Sequence, residues 1–598
     1  MNFRWSLIGL VVLMVCGASV HAETQAERDA RMKWWREARF GMFVHWGLYA
    51  IPAGQWDDKK WDRGGMEWIQ KRANVPADVY ADRLLPQFKP KQGFAAEWAE
   101  LAKVAGCKYV VFTDKHHEGF ALHDSKVTRF DAKDVTGRDL TKEIVEAVKK
   151  QGLRIGMYYS LWDWHHPDAY AGKGTNNPSV QTMEGRDPEK YLKFMHEQVD
   201  EIASNYGRVD VLWFDYSSKQ VQGESWKAND LLASLRKKQP GIIVNNRLYR
   251  SPEAGWHDDH HLEPYDSKYG DFTTPEQRIP PNGVPGVDWE TCMTMNTTWG
   301  YSQHDHNWKT GQTLIRNLVD ICSKGGNYLL NIGPMADGTV PPESVQLMYE
   351  IGAWMQMNGE AIYGTTASPF KQTFDWGRVT AKGDVLYLHV FDWPADKKIS
   401  IPPLNNPMKS IAVLGDPTAK ASLHPEVDKW VIQLPDKPVN TSATVIKLQL
   451  EGEVKVAGDT APMVQPGADG TITLAAHDAL THGKMLRYEP QPHKNTIGYW
   501  VEADDYVEWN FQVDKPGEYE VIVYQGCGKG HGGSEAAVHL AGKTLNFTVE
   551  DTGGFQNFVE RDLGTVNLSP GDQTLSIKPI RKAKLAVMDV RRVTLKRK

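Results

Sequence analysis

Over residues 39–338 short apolar runs alternate with amphipathic stretches, and beyond residue 363 only short strand-like runs remain, broken by Pro, Gly and Asp. Together these predict an α/β chain: a (β/α)8-like barrel, then a small β-sandwich and a second, C-terminal β-sandwich of the jelly-roll type. A third observation favours a closed barrel over an open sheet. His45, His116, His117, Asp163, Asp215 and Arg247 each follow an apolar run, and a barrel gathers its functional residues at the C-terminal ends of its strands. No G-x-G-x-x-G follows the first run, which argues against a dinucleotide-binding sheet.

At the N-terminus, Arg4, an apolar run over 7–15 and the sequence Val20-His21-Ala22 read as a secretory signal peptide, 1–22, too short to span a bilayer. The product is expected to be secreted or periplasmic. Cys16 follows Val15, bulkier than the residue that precedes a lipidated cysteine, and no later stretch reaches 18 apolar residues, so no membrane partner is expected. The barrel, 23–365, has candidate strands at 40–46, 109–113, 155–160, 209–214, 242–245 and 328–332. Strands buried on both faces read as such continuous runs. Between them, 94–105, 139–151, 188–205 and 309–323 carry helical periodicity. Strand-like runs at 378–391, 398–402, 410–414 and 444–451 make the first sandwich, 366–452. The Pro/Gly-rich stretch 453–470 reads as a linker, and 471–598, with runs at 519–524, 573–578 and 586–595, as the second sandwich.

With 41% hydrophobic and 24% charged residues, the 598-residue chain has the material for packed cores and is not a mainly disordered one. Lys and Arg number 69 against 75 Asp and Glu, a net charge of −6, so no nucleic-acid partner is expected. The 22 Trp stand out: flat amphipathic rings suit sugar faces as well as cores. After leader cleavage Cys107, Cys292, Cys322 and Cys527 remain, scattered and without a C-x-x-C pair, and read as buried small hydrophobes.

Asp215 ends the run VDVLWFDY. A carboxylate directly after an apolar strand sits at the barrel mouth; a helix cap or ion pair is the structural alternative. Glycosidic chemistry needs a second carboxylate, and both Glu276 in GDFTTPEQ and Glu290 in VDWETC are candidates between which pattern does not choose. His45 in VHWG and His116-His117 in TDKHHEGF can hydrogen-bond sugar hydroxyls. Neighbours on a strand face opposite ways, so the His pair makes a poor joint metal site, and HDDHH at 257–261 lacks H-E-x-x-H spacing. No metal is expected. Arg247, ending IIVNNR, can fork onto hydroxyls or hold a carboxylate ionised.

Seven motifs in order carry a specific resemblance: ARFGMFVHWGLYAIPAGQW, AGCKYVVFTDKHHEGFALHDS, GMYYSLWDWHHPD, VLWFDY, GDFTTPEQ, WETCMTMNTTWGY and GGNYLLNIGPMADGTVPP. Over roughly residues 30–365 the chain resembles the α-L-fucosidases of glycoside hydrolase family 29. The resemblance implies a retaining exo-hydrolase that removes terminal α-L-fucose from an oligosaccharide or polysaccharide, without metal or other cofactor. It matches Asp215 to the nucleophile and Glu276 to the acid/base, with Glu290 in reserve. It matches His45, His116, His117, Tyr159, Trp213 and Arg247 to fucose-binding positions, and Glu67-Trp68 to a Glu-Trp pair in a loop that departs from the usual pattern. Trp299 is matched to an apolar wall for the C6 methyl. The C-terminal part is more loosely similar to carbohydrate-binding sandwiches of the family 6 and 35 type. The alternatives are a non-catalytic carbohydrate-binding protein and an exo-hydrolase of a related α-L-sugar such as an α-L-galactoside. Linkage preference and oligomeric state are not encoded in any readable pattern.

Overall fold

The structure is a computed structural model that describes residues 23–598 other than 63, 172–181, 219–220, 250–269, 285–286, 371–373, 427–428, 457–462, 468, 484 and 490–493. The expected leader 1–22 and the 257–261 histidines lie outside the described residues.

The barrel is built on parallel strands β1 Phe40–Val44, β2 Tyr109–Lys115, β3 Arg154–Ser160, β4 Val211–Asp215, β5 Ile243–Val244, β6 Glu290–Thr294 and β7 Asn327–Ile332. Their order is β5-β4-β3-β2-β1-β7-β6. Between β5 and β6 the circle is completed by a segment held through three isolated parallel bridges, Asn245 to Phe272, Thr273 to Trp289 and Glu276 to Cys292. Six of these strands fall on predicted runs. The seventh, ETCMT, carries Glu and Thr among its apolar residues and gave no strand signal of its own.

The predicted helices form at Phe94–Ala105, Leu140–Lys150, Pro188–Asn205 and Gly311–Ser323. Their starts follow local chemistry: Asp139, Asp187 and Thr310 accept a first-turn backbone N–H, and Pro188 occupies the first helical position after Asp187. At the other end of Phe94–Ala105, Gly106 takes φ +89, a left-handed cap that glycine adopts without a Cβ penalty.

Strand alternation sorts the barrel residues into two sets. Phe43, Tyr109, Val111, Tyr158, Val211, Trp213, Ile243, Cys292 and Leu329 fill the interior, while Val110, Phe112, Met157, Tyr159, Leu212 and Phe214 pack outward under the helices. An N-terminal helix, Gln25–Ala38, closes the bottom with Met32 and Trp35, the latter 4.8 Å from the Phe272 ring.

The first sandwich pairs a four-stranded sheet with a three-stranded one around its own core. The predicted run 378–391 is a hairpin, Gly377–Lys382 and Val385–Val390, turning at Gly383 with φ +60. Ser422–Pro425 and Trp430–Gln433 add strands that the sequence reading did not identify. Val385, Tyr387, Ala443 and Val445 belong to the barrel's hydrophobic core, and the Trp354 indole donates to the Ala443 carbonyl at 2.9 Å.

The C-terminal sandwich has two larger sheets around a separate core. Tyr506–Val513 alternates strictly, with Val507, Trp509, Phe511 and Val513 buried. The later part of the predicted linker contributes a short edge strand, Met463–Val464, parallel to Tyr506–Val513.

Candidate active site

A cavity of about 560 Å³ opens at the C-terminal ends of the barrel strands, with Asp215 and Glu276 both in its lining. Asp215 closes β4 and shares interior parity with Val211 and Trp213, so its carboxylate faces the cavity. Tyr158 donates to Oδ2 at 2.6 Å and Arg247 Nη1 donates to Oδ1 at 2.8 Å. Burial alone would raise the Asp215 pKa, but Arg247, His117 and the Tyr158 hydroxyl outweigh it and hold the carboxyl below the ordinary range. The same guanidinium donates through Nη2 to Glu276 Oε2 at 2.9 Å and through Nε to Thr274 Oγ1 at 2.8 Å. One cation therefore spans both acids.

The geometry separates the two glutamates that sequence pattern left open. Glu276 is 36% exposed at its side chain and faces the cavity, whereas Glu290 is fully enclosed beneath it. Burial pushes Glu290 up to about 7, against donated hydrogen bonds from Tyr109 and, at 3.3 Å, from the Trp213 indole.

The histidines supply neutral polar edges. His45 Nδ1 meets Asn331 Oδ1 at 2.7 Å, and Asn331 Nδ2 donates to the Trp299 carbonyl at 2.8 Å, which orients the amide. Nδ1 of His45 thus carries the proton and Nε2 is an acceptor. Ser160 Oγ donates to the Trp162 carbonyl at 2.8 Å, so at 2.6 Å it accepts from His117 Nδ1 and leaves His117 Nε2 as an acceptor 4.0 Å from Asp215. Burial lowers His45 to about 3 and His117 to about 4, the latter against the pull of Asp215. His116 is also held neutral by burial, stacks on Tyr158 at 5.3 Å, and has a buried Nδ1 with no protein partner among the described residues.

Glu67, Trp68, Trp213 and Trp299 all line the cavity. Glu67 accepts from Gly300 N–H at 3.1 Å and is pushed up to about 7 by burial. The Trp68 ring meets His117 edge-on at 5.2 Å, and Trp299 lies 5.0 Å from the His45 ring.

Of the residues matched to sugar-binding positions, Tyr159 is the one absent from the cavity lining. It points under the helices and donates to Gln198 Oε1 at 2.8 Å; its neighbour Tyr158 is the tyrosine on the cavity side. A shift of one residue along a strand reverses the face, and in MYYS both faces are buried, so no polar alternation marks the inner one. Asn331 was also not singled out from sequence, lying inside the apolar run of β7. Among the described residues no group of three or more His, Cys, Asp or Glu is arranged to hold a metal ion, and no helix is long and apolar enough to cross a membrane.

Two carboxyl groups bridged at a barrel mouth, ringed by neutral imidazoles and indoles, define a glycoside hydrolase. The α-L-fucosidase family model matches residues 17–360. Rat tissue α-L-fucosidase is 32% identical, over 74% of this chain and 98% of its own. Among solved structures, α-L-fucosidase isoenzyme 1 from Paenibacillus thiaminolyticus is 38% identical with a TM-score of 0.64, covering 71% of this chain and 99% of that one. An α-L-fucosidase from Vibrio sp. strain EJY3 is 27% identical with a TM-score of 0.66 and covers 95% of this chain and 98% of that one. A family 29 α-L-fucosidase from Bacteroides thetaiotaomicron, solved as a trapped covalent intermediate with 2-fluoro-fucosyl fluoride, is 31% identical with a TM-score of 0.62, over 73% of this chain and 99% of that one. The chain belongs to the α-L-fucosidase family, glycoside hydrolase family 29.

Proposed function

We propose that the chain is a retaining exo-α-L-fucosidase with Asp215 as nucleophile and Glu276 as acid/base. The observation that carries the reading is the Arg247 guanidinium spanning the two carboxyl groups, with Tyr158 on the other oxygen of Asp215. Asp215 attacks the anomeric carbon while Glu276 gives its proton to the departing glycosidic oxygen. Water deprotonated by Glu276 then displaces Asp215 from the fucosyl ester. A single guanidinium reaching both acids favours the short separation of retaining enzymes, ~5–5.5 Å, over the ~6.5–9.5 Å of inverting ones. The covalent intermediate trapped in the Bacteroides relative supports the two-step route.

In this reading His45, His116 and His117 exchange hydrogen bonds with the sugar hydroxyls, Glu67 and Trp68 complete the polar rim, and Trp299 offers an apolar face to the C6 methyl. The leader reading makes the enzyme an exported one, and the C-terminal sandwich reads as a carbohydrate-binding-like module. Both are tested by N-terminal sequencing of the secreted product and by retention of residues 463–598 on fucosylated polysaccharide.

The deciding experiment is release of 4-nitrophenol from its α-L-fucoside by wild type, Asp215→Ala and Glu276→Ala, with NMR of the first sugar anomer formed. Turnover lost in Asp215→Ala, an α-anomer released first, and partial recovery of Glu276→Ala by azide are expected. A β-anomer formed first, or normal turnover in Asp215→Ala, would sink the reading.

A further inference from the structure

Glu290 has no part in the chemistry above, yet it is a carboxyl group set in the barrel interior directly beneath the cavity, 0% exposed, on the same strand face as Cys292. Cys292 on that face belongs to an aromatic and apolar interior cluster with Phe43, Tyr109, Trp213, Phe272 and Met32, two of which, Tyr109 and Trp213, meet the Glu290 carboxyl. Burying a carboxyl there is costly, and a well-packed hydrophobic residue of similar volume serves stability as well or better. Stability alone therefore gives no reason for an acid at this position.

Its partners supply one. Tyr109 from β2 donates to Oε2, and Trp213 from β4 donates its indole N–H to Oε1 at 3.3 Å. The face of that indole carries Arg247, whose guanidinium lies 4.5 Å from the ring centroid, and Tyr158, stacked at 5.6 Å with the planes 19° apart. Arg247 and Tyr158 are the two groups that donate to the Asp215 carboxylate. Both thus rest on one ring, and the edge of that ring is tied down from below.

We propose that Glu290 is a positioning residue for the reaction: with Tyr109 it fixes the Trp213 indole, and through that ring it fixes Arg247 and Tyr158 on Asp215. The proposal rests on the assignment of Asp215 and Glu276 given above. Glu290 touches neither substrate nor reacting atoms and transfers no proton.

The test compares the full-length enzyme with Glu290→Gln, Trp213→Phe and the double variant, on 4-nitrophenyl α-L-fucoside across pH. The amide in Glu290→Gln keeps one acceptor for two donors, and its N–H either opposes the Trp213 indole or forces the Tyr109 hydroxyl to turn and accept. The kcat/KM of Glu290→Gln should fall about 10- to 100-fold, the scale of a misplaced catalytic group, with near-normal circular dichroism. The acid limb of its pH profile should move to higher pH, and azide should give no recovery. Because Glu290 acts through the Trp213 N–H, the double variant should lose nothing beyond Trp213→Phe. Multiplying losses, an unmoved acid limb, or azide recovery in Glu290→Gln would each overturn the proposal. If Glu290→Gln does not fold, Tyr109→Phe reads the same line, with a smaller loss that vanishes on the Trp213→Phe background. Failure of the underlying assignment shows separately, as retained turnover in Asp215→Ala.

Discussion

The Tyr158 hydroxyl donates to Asp215 Oδ2 at 2.6 Å, across adjacent strands of the barrel. A hydrogen bond to a charged group contributes ~1.5–3 kcal/mol, and this one stabilises only the ionised carboxylate. Tyr158→Phe should raise the Asp215 pKa toward its ordinary value, so activity is lost at a higher pH on the acid side. A pH profile of kcat/KM checks it: the acid limb moves up and the optimum falls roughly tenfold. Tyr159→Phe, whose hydroxyl faces Gln198, leaves that limb where it was.

Arg247→Lys should not preserve activity. A lysine ammonium is a point charge and cannot reproduce a planar fork that serves Asp215, Glu276 and Thr274 at once. A loss of at least ~100-fold in kcat is expected from misplacing the catalytic groups. Rates near wild type in Arg247→Lys would mean that charge alone suffices.

Trp299 tests sugar choice. An apolar pocket wall discriminates a methyl-sized difference by ~1–3 kcal/mol. Trp299→Ala should therefore narrow the kcat/KM ratio of aryl α-L-fucoside to aryl α-L-galactoside by about 10- to 100-fold, chiefly by losing the fucoside.

Asp589, in the C-terminal sandwich, gives a stability prediction with a definite sign. Burial, and then the neighbouring Glu489, raise its pKa to about 8. A raised carboxyl pKa means that the folded state holds a proton the unfolded chain has released. That contribution to stability is complete below about pH 4 and drains away as pH rises through about 8. Asp589→Asn, which carries no proton to lose, should melt several degrees above wild type at pH 8 and show no such gain at pH 4. Calorimetry reads it directly.

The two sandwiches differ in their ties to the barrel. The first lends Val385, Tyr387, Ala443 and Val445 to the barrel core, while the second keeps a core of its own. A chain ending at residue 456 should fold and hydrolyse an aryl fucoside at near-normal rate. A chain ending at 365 should aggregate, as size-exclusion chromatography would reveal.

Most of the barrel was legible because doubly buried parallel strands appear as unbroken apolar runs, and Asp215 was legible because it interrupts one. The same burial hid the rest. MYYS is buried on both faces, so burial does not say which tyrosine faces inward: Tyr159, matched by resemblance, reaches Gln198, and its neighbour Tyr158 reaches Asp215. Glu290 and Glu276 look alike as letters in neighbouring motifs; only the packing of Tyr109 and Trp213 around one of them tells a sealed carboxyl from an open one. The C-terminal ladder of Tyr506–Val513, buried on one face only, keeps its alternation visible.

The segment between β5 and β6 has the character of a zip fastened at three teeth. Asp215 stands on a strand laddered on both sides, whereas Glu276 is held to β6 by a single bridge, to Cys292, in a segment otherwise tied by two more. The two acids have supports of unequal stiffness. In the proposed reading the nucleophile Asp215 meets one carbon along one line, while Glu276 serves a departing sugar oxygen and then an incoming water in turn. In that reading a seam of single bridges suits a carboxyl that attends both events, and amide exchange at 271–276 should outpace that at 211–215.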